Sequence, residues 1–309
     1  MSRPVIRHTG VSAMKQDMTT FLELVQEIRI GDLLRGAGDK RYEASGVHLK
    51  EGYLHIIFDN DPHLLRLKPD WHHAGEEPVL LDLKGTGSGY EDITYLSSTN
   101  RWYCLIEAAE TKSGVSMPRV DEFDESFTFI TSYWLNFPLK AGNKGFEGLS
   151  VLHYAGNDYL LGLCEGNDCK SGSSGAKPGK GRIQVFVRAA ETWEHVGTIR
   201  LPKAVRYKDY SSLDFRNGYL TVISQASSAM WVGRIRAQPA GLEDLFEDDG
   251  QLFLFPRDDK GRIIYCNLEG VTWLGNDRLA VVSDKGKADQ SKRCASTDQS
   301  IHIFRLPAV

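Results

Sequence analysis

Nowhere in the 309 residues does an apolar run approach the roughly eighteen residues that a membrane-spanning helix needs. The N-terminal MSRPVIRHTGVSAMKQ also lacks the apolar core of a secretory signal, so a chain that neither enters nor crosses a membrane is expected. Charge of one sign is scarce too. With 37 basic and 41 acidic residues the net charge is −4, which excludes the broad basic field of a nucleic-acid or anionic-membrane binder. Cysteine is sparse: five thiols, an odd number, do not make the dense even framework of a secreted disulfide scaffold, and a reducing, cytoplasmic setting is expected. Cys164 and Cys169 in CEGNDC are close enough to pair under oxidation, but they lack CxxC spacing and a second Cys/His pair to make a zinc site, and the five thiols read as unrelated. Few stretches sustain a 3.6-residue period, which argues against a helix-rich fold.

What the chain does have is a core and a repeat. It is 41% hydrophobic and 25% charged, ordinary for a folded domain. Five segments share one pattern: EGYLHIIFD (51–59), TNRWYCLIE (99–107), NDYLLGLCE (157–165), NGYLTVISQ (217–225) and NDRLAVVSD (276–284). Each opens on turn residues and runs through β-branched, aromatic or Leu positions to Asp59, Glu107, Glu165, Gln225 or Asp284. Upstream of each lies a second column, EASGVHL, YEDITYL, FEGLSVL, YSSLDF and LEGVTWL, with polar key positions Ser45, Glu91, Glu147, Ser211 and Glu269. The two columns flank an Asn/Asp/Gly turn and predict five antiparallel hairpins. Further strands follow each hairpin, such as HLLRLK, PVLLDLK, FTFITSYWL, RIQVFVRA and AMWVGRIR, but the last unit is one strand short.

The N-terminal LELVQEIRIGDL is placed to supply that strand by pairing with SIHIFRLP, closing the ring between the chain ends. The fold read from this pattern is an all-β, five-bladed β-propeller, residues 23–309, behind a flexible segment 1–22, with one helical turn expected in MKQDMTTFLEL. Six blades is the alternative.

In such a fold the start of each innermost strand and the end of its partner share one end of the central channel. Ser45, Glu91, Glu147, Ser211 and Glu269 then form an inner ring, surrounded by Asp59, Glu107, Glu165, Gln225 and Asp284. Carboxylates so close raise one another's pKa, so either protons or a cation must sit among them. All-oxygen donors on loop ends, without Cys or paired His, favour a hard ion, Ca²⁺ over Mg²⁺. The metal candidates are Glu91, Glu147, Glu269, Glu107, Glu165, Asp284 and Asp59. The alternative is structural: the glutamates accept backbone N–H bonds from neighbouring blades and staple the ring.

YEDITYL, NKGFEGLSVL, YSSLDF with NGYLTVIS, and NLEGVTWLGNDRLAVVSD resemble the repeats of the SdiA-regulated propeller family and, more distantly, esterase-like and phytase-like propellers. The resemblance spans residues 40–309, and GFEGL and LEGV are its most specific pieces. It implies a five-bladed propeller with bound calcium and no established activity, with Glu91, Glu147 and Glu269 as the matching acids. The chain departs from the family pattern at Ser211-Ser212, where Ser-Gly is expected, and in lacking an N-terminal membrane anchor.

Other motifs carry less. CEGNDCKSGSSGAKPGKGR (164–182) lacks phosphate-loop spacing and reads as a mobile loop near the acids, able to offer Lys170, Lys177, Lys180 and Arg182 to an anion. GTGSGY is no nucleophile elbow. His72 and His73 read as exposed, DEFDES (121–126) as a solvated loop, and Trp102, Trp134, Trp193, Trp231 and Trp273 as inter-blade core. Two functions fit: a calcium-binding monomer that captures a small molecule or peptide at the channel mouth, or a metal-dependent hydrolase of phosphate esters, carboxylic esters or lactones with Glu107 or Glu165 as base.

Overall fold

The structure, a computed structural model, describes residues 20–34, 40–72, 75–86, 89–140, 145–286 and 290–307. Alternating and β-branched segments form strands throughout. Turns are set by residues that tolerate left-handed backbone: Asn217 and Gly218 have φ of 52° and 82°, and the same pair of conformations recurs at Glu51–Gly52 and Ala155–Gly156. These are the two-residue hairpin turns whose twist matches that of the strands they join.

The strands make four hydrogen-bonded sheets. The first, four-stranded, runs Ala44–Lys50, Tyr53–Phe58, His63–Leu67 and Val79–Asp82. An eight-stranded sheet holds two antiparallel runs, Ile93–Leu96 through Phe129–Asn136 and Phe146–Tyr154 through Thr192–Arg200. Their last strands are joined by a short parallel pairing of Trp134–Asn136 with Thr192–Glu194. A five-stranded sheet begins at Ser212–Arg216, and the last sheet at Leu268–Trp273. The first strands of these runs, Ala44–Lys50, Ile93–Leu96, Phe146–Tyr154, Ser212–Arg216 and Leu268–Trp273, pack each against the next in a closed ring. The chain is all-β and propeller-like.

Closure occurs where the repeat required it. Glu23–Arg29 pairs antiparallel with Ser300–Arg305, with Glu27 opposite His302 and Ile28 opposite Ile301. Thr20–Phe21 already pairs, parallel, with Phe253–Leu254, so the chain ties two sheets before residue 23. Thr20–Leu24 is therefore not helical. Residues 1–19, and with them the rest of the segment expected to be flexible, lie outside the described residues, as does His73; His72 is exposed.

Three readings of the sequence are corrected. DEFDES is a solvated turn only over its second half, where Glu125 and Ser126 are exposed: Ser116–Phe123 is a strand, and Asp121 is fully buried, accepting hydrogen bonds from Tyr90 Oη (2.6 Å), Ser132 Oγ (2.6 Å) and the Thr86 N–H (2.7 Å). Its charged residues concealed a strand whose other positions are apolar. The segment 164–182 is tied down rather than mobile. Buried Asn167 donates to the Gly175 carbonyl (2.8 Å) and accepts from the Lys180 N–H (2.8 Å), while Asp168 pairs with Arg182 (2.6 Å) and Lys180 (3.0 Å). Nor are the cysteines unrelated: Cys164 pairs with Cys169 and Cys266 with Cys294, leaving Cys104 free and buried. Disulfides persist in oxidising compartments, which runs against the reducing setting read from the cysteine count. No helix among the described residues is long and apolar enough to cross a membrane.

Large side chains fill the spaces between neighbouring sheets. Trp102, Trp193 and Trp231 are essentially inaccessible and Trp273 nearly so, whereas Trp134 is only half-buried beneath Arg119.

Candidate metal centre

The key positions sit where the ladders are interrupted. The Cα register jumps from Ala44 to Gly46, from Phe146 to Gly148 and from Leu268 to Gly270, so Ser45, Glu147 and Glu269 are the skipped residues of β-bulges. A bulge bends the strand and re-aims its side chain, which is how three strands present a polar group at the channel mouth without breaking the sheet below.

The five inner positions then diverge. The two serines are engaged in the joints between sheets: Ser45 Oγ donates to the Tyr90 carbonyl (2.5 Å), and Ser211 Oγ to the Leu268 carbonyl (2.7 Å). Each bond ends on the residue just before the next acid, Glu91 or Glu269. The glutamates face one another instead. Burial, then repulsion from Glu147, Asp59, Glu107 and Asp284, pushes the Glu91 carboxyl up to about 9. Glu269 is raised well above the ordinary range by burial and then by Glu147, Asp284, Glu91 and Asp209. Asp284 is raised too, chiefly by burial, with partial relief from the Lys285 N–H and Arg41.

Of the outer positions, Glu107 and Glu165 close in on Glu147: one carboxylate oxygen from each lies within 4.8 Å of the other two. Gly145 organises this triad. Its N–H donates to Glu107 Oε1 (2.8 Å), and its carbonyl accepts the Glu165 N–H (3.2 Å). A Cβ at 145 would stand 2.2 Å from the Glu107 carbonyl oxygen, so only glycine permits the approach. Asp59 is exposed and lies against Gly89, two residues before Glu91. The structure thus gathers Glu107, Glu147 and Glu165 into a triad, with Glu91, Glu269, Asp284 and Asp59 within electrostatic reach.

One layer below, at Gly46, Asp92, Gly148, Ser212 and Gly270, lies a feature not anticipated. Asp92, fully buried, accepts hydrogen bonds from the N–H groups of Ile93 (2.8 Å) and Leu149 (2.9 Å) and from Ser212 Oγ (3.0 Å), while the Val271 N–H donates to Ser212 Oγ (3.2 Å). Burial pushes its carboxyl well above the usual range, against three donors that favour the anion. Two residues further along the fourth inner strand, Asp214 accepts from the Trp273 N–H (2.9 Å) and Thr272 Oγ1 (3.1 Å). Asp92 and Asp214 thus staple backbone across neighbouring inner strands, and Glu107 does the same at the mouth through the Gly145 N–H. Its sequence trace was visible: Asp92 and Ser212 stand in the column where the other three strands have glycine. Gly46 shows why glycine recurs there, since a Cβ on it would lie 2.7 Å from Asp92 Cα.

No family model and no curated protein matches the chain. Among solved structures it is similar to CoXyl43, a GH43 β-xylosidase/α-arabinofuranosidase from a compost microbial metagenome in complex with xylotriose, calcium-free form (TM-score 0.53, 12% identity, 93% of this chain and 96% of that one). It is also similar to the GH43_1 enzyme from Xanthomonas citri complexed with xylotriose (0.51, 14%, 87% and 88%) and to the glutaminyl cyclase of Myxococcus xanthus (0.50, 12%, 94% and 97%). At these identities the likeness establishes a propeller-type fold and nothing of the chemistry.

Proposed function

We propose that the chain is a five-bladed propeller of the SdiA-regulated type whose acidic channel mouth binds Ca²⁺, and that the bound ion captures a small anionic molecule or peptide. Support for five blades is the ring of five inner strands, with the eight-stranded sheet counted as two blades joined at their outer strands. The domain is taken as residues 23–309, acting as a monomer, with neither nucleic acid nor membrane as partner.

The observation that carries the cation reading is the triad of Glu107, Glu147 and Glu165 beside three further acids whose carboxyls are held above their ordinary range. A divalent ion would relieve that repulsion. The donor set suits it: all oxygen, from separate strands and loop ends, without Cys or His. A ligand selective for the folded state stabilises by RT ln(1 + [L]/Kd), about 2.7 kcal/mol at a hundredfold excess over Kd. Calcium should therefore raise the melting temperature of wild type, and Glu147→Gln should remove most of that rise; melting curves indifferent to calcium and to chelator would overturn the reading.

One observation favours a second reading, a metal-dependent hydrolase of phosphate esters, carboxylic esters or lactones. In the metal-free chain burial and the neighbouring acids push the Glu91 carboxyl up to about 9, which sets a protonatable carboxyl within electrostatic reach of the triad. Glu107 and Glu165 no longer separate the two readings, because both lie with Glu147 and their loss would disturb the ion as well. Turnover itself separates them: a hydrolase should turn over one of these substrates only with calcium present, whereas a binding module should turn over none.

The two disulfides favour an oxidising compartment over the cytoplasm. Thiol counting on protein from its native host tests this, one reactive thiol in the denatured chain being expected rather than five.

A further inference from the structure

A cavity of about 850 Å³ lies away from the acids and opens between the five-stranded sheet and the last sheet, at the far ends of the inner strands Ser212–Arg216 and Leu268–Trp273. We propose that this cleft is a second binding site, for an uncharged polyhydroxylated ligand of one or two sugar rings.

Its aromatic walls come first. Tyr219, the residue after the Asn217–Gly218 turn, is 40% exposed and presents its ring to the cleft. Trp273 lines the same cleft and is held rigidly: Asp214 accepts its backbone N–H (2.9 Å), and Arg216 Nη1 donates to its carbonyl (2.7 Å). Its buried indole N–H has no hydrogen-bond partner among the described residues. A buried donor left without a partner is costly, and a ligand hydroxyl within its reach would satisfy it.

Charge decides against an ionic ligand. Two cations, Arg216 and Arg234, face two anions, Glu247 and Asp248, and Arg234 already pairs with Glu247 (3.4 Å). Asp248 caps the Gly250 N–H (2.8 Å). A phosphate or carboxylate gains no net field here, whereas a ligand that both donates and accepts hydrogen bonds does well. Gln251 and Asn276 add carboxamides that do the same, and the volume is that of an ordinary small-molecule site. Addition of an extended peptide strand is disfavoured, because the outer strand Gln251–Leu254 is already paired with Thr20–Phe21.

The site is independent of the cation reading, and its test keeps the two apart. The purified chain is titrated with glucose, xylose and cellobiose, and with gluconate and glucose 6-phosphate as charged controls, by saturation-transfer NMR and tryptophan fluorescence. A neutral saccharide should bind saturably and more tightly than the charged analogues. Tyr219→Ala and Gln251→Ala should each weaken it about tenfold, as loss of an aromatic or hydrogen-bonding contact does. Both variants alter surface-accessible positions, and their melting curves report that they fold. Glu147→Gln should leave saccharide affinity unchanged. The proposal is overturned if no neutral saccharide saturates the protein, if the charged analogues bind as well, or if binding survives both cleft substitutions.

Discussion

Glu91 and Asp92 are neighbours in the chain, yet they belong to two differently built layers of one channel. Asp92 is surrounded by donors from its own strand and from the runs beginning at Phe146 and Ser212, so the buried acid staples strands together. Glu91 is surrounded by acids, and the groups acting on it most strongly after burial are four other carboxylates. Burial raises both carboxyls, but the donors around Asp92 work against that rise, whereas the carboxylates around Glu91 add to it, and it is the second arrangement that a cation would relieve. A staple is therefore present, built on Asp92 and one layer below the acids for which a cation is proposed.

The contrast is sharpest in stability. Asp92→Ala should cost about 2–4 kcal/mol, because the Leu149 N–H and Ser212 hydroxyl lose a buried partner, and the loss should be the same with calcium or with chelator. Chemical denaturation under both conditions measures it. A calcium-dependent loss would mean that the layers are not separate.

Glu147→Gln should do the reverse: it should remove most of the calcium increment while leaving the metal-free protein at least as stable as wild type, because one charge leaves the cluster around Glu91 and Glu269. A large loss in the absence of metal would place Glu147 among the staples.

The layers should also differ in how calcium changes their pH response. Glu91 moves from 4.5 to about 9 on folding, so between these values the folded state holds a proton that the unfolded state has released. Metal-free stability should then fall as pH rises from about 4.5 to about 9, and saturating calcium should reduce that slope but not abolish it, because buried Asp92 and Asp214 are raised as well. Urea denaturation across the range gives the sign directly, and a metal-free slope that rises instead would contradict the cluster.

The smallest effect belongs to the first sheet, below the mouth. His55 is buried against Trp102 (ring centroids 4.7 Å) and Phe127 (5.7 Å), and burial lowers it from 6.5 to about 4. Here the unfolded state takes up the proton first, so stability should fall as pH drops from about 6.5 to about 4. His55→Phe should shrink that acid limb, the rest of which belongs to its cross-strand partner His48, lowered by burial to about 3, and should leave the alkaline slope unchanged. Loss of both together would tie the two regions into one titrating unit.

Much of the fold was legible because hairpin repeats advertise themselves through turn residues and alternation. The joining of Glu23–Arg29 to Ser300–Arg305 followed from one missing strand. The strand Ser116–Phe123 was hidden because Asp121 and Glu122 read as solvent-facing, whereas the fold buries Asp121 among hydroxyl and amide donors from distant segments, a property no local pattern encodes. At the mouth, the acids could be grouped by column, but not sorted. Which of them form a triad depends on the bulge at Glu147 and on Gly145 standing against Glu107, both set by contacts between strands. Asp92 could have been suspected from its column, where glycine is otherwise the rule, together with the matching departure at Ser212. The disulfides were misjudged because Cys266 and Cys294, 28 residues apart, are brought together only by the closed fold.

The most direct test of the acid mouth is equilibrium dialysis of the purified chain against radiolabelled calcium at neutral pH, on wild type, Glu147→Gln and Asp92→Asn. The account predicts saturable binding to wild type, its loss in Glu147→Gln and its retention in Asp92→Asn, because the ion sits above the staple and not within it. Absence of binding in wild type, or binding that survives Glu147→Gln but not Asp92→Asn, would contradict it.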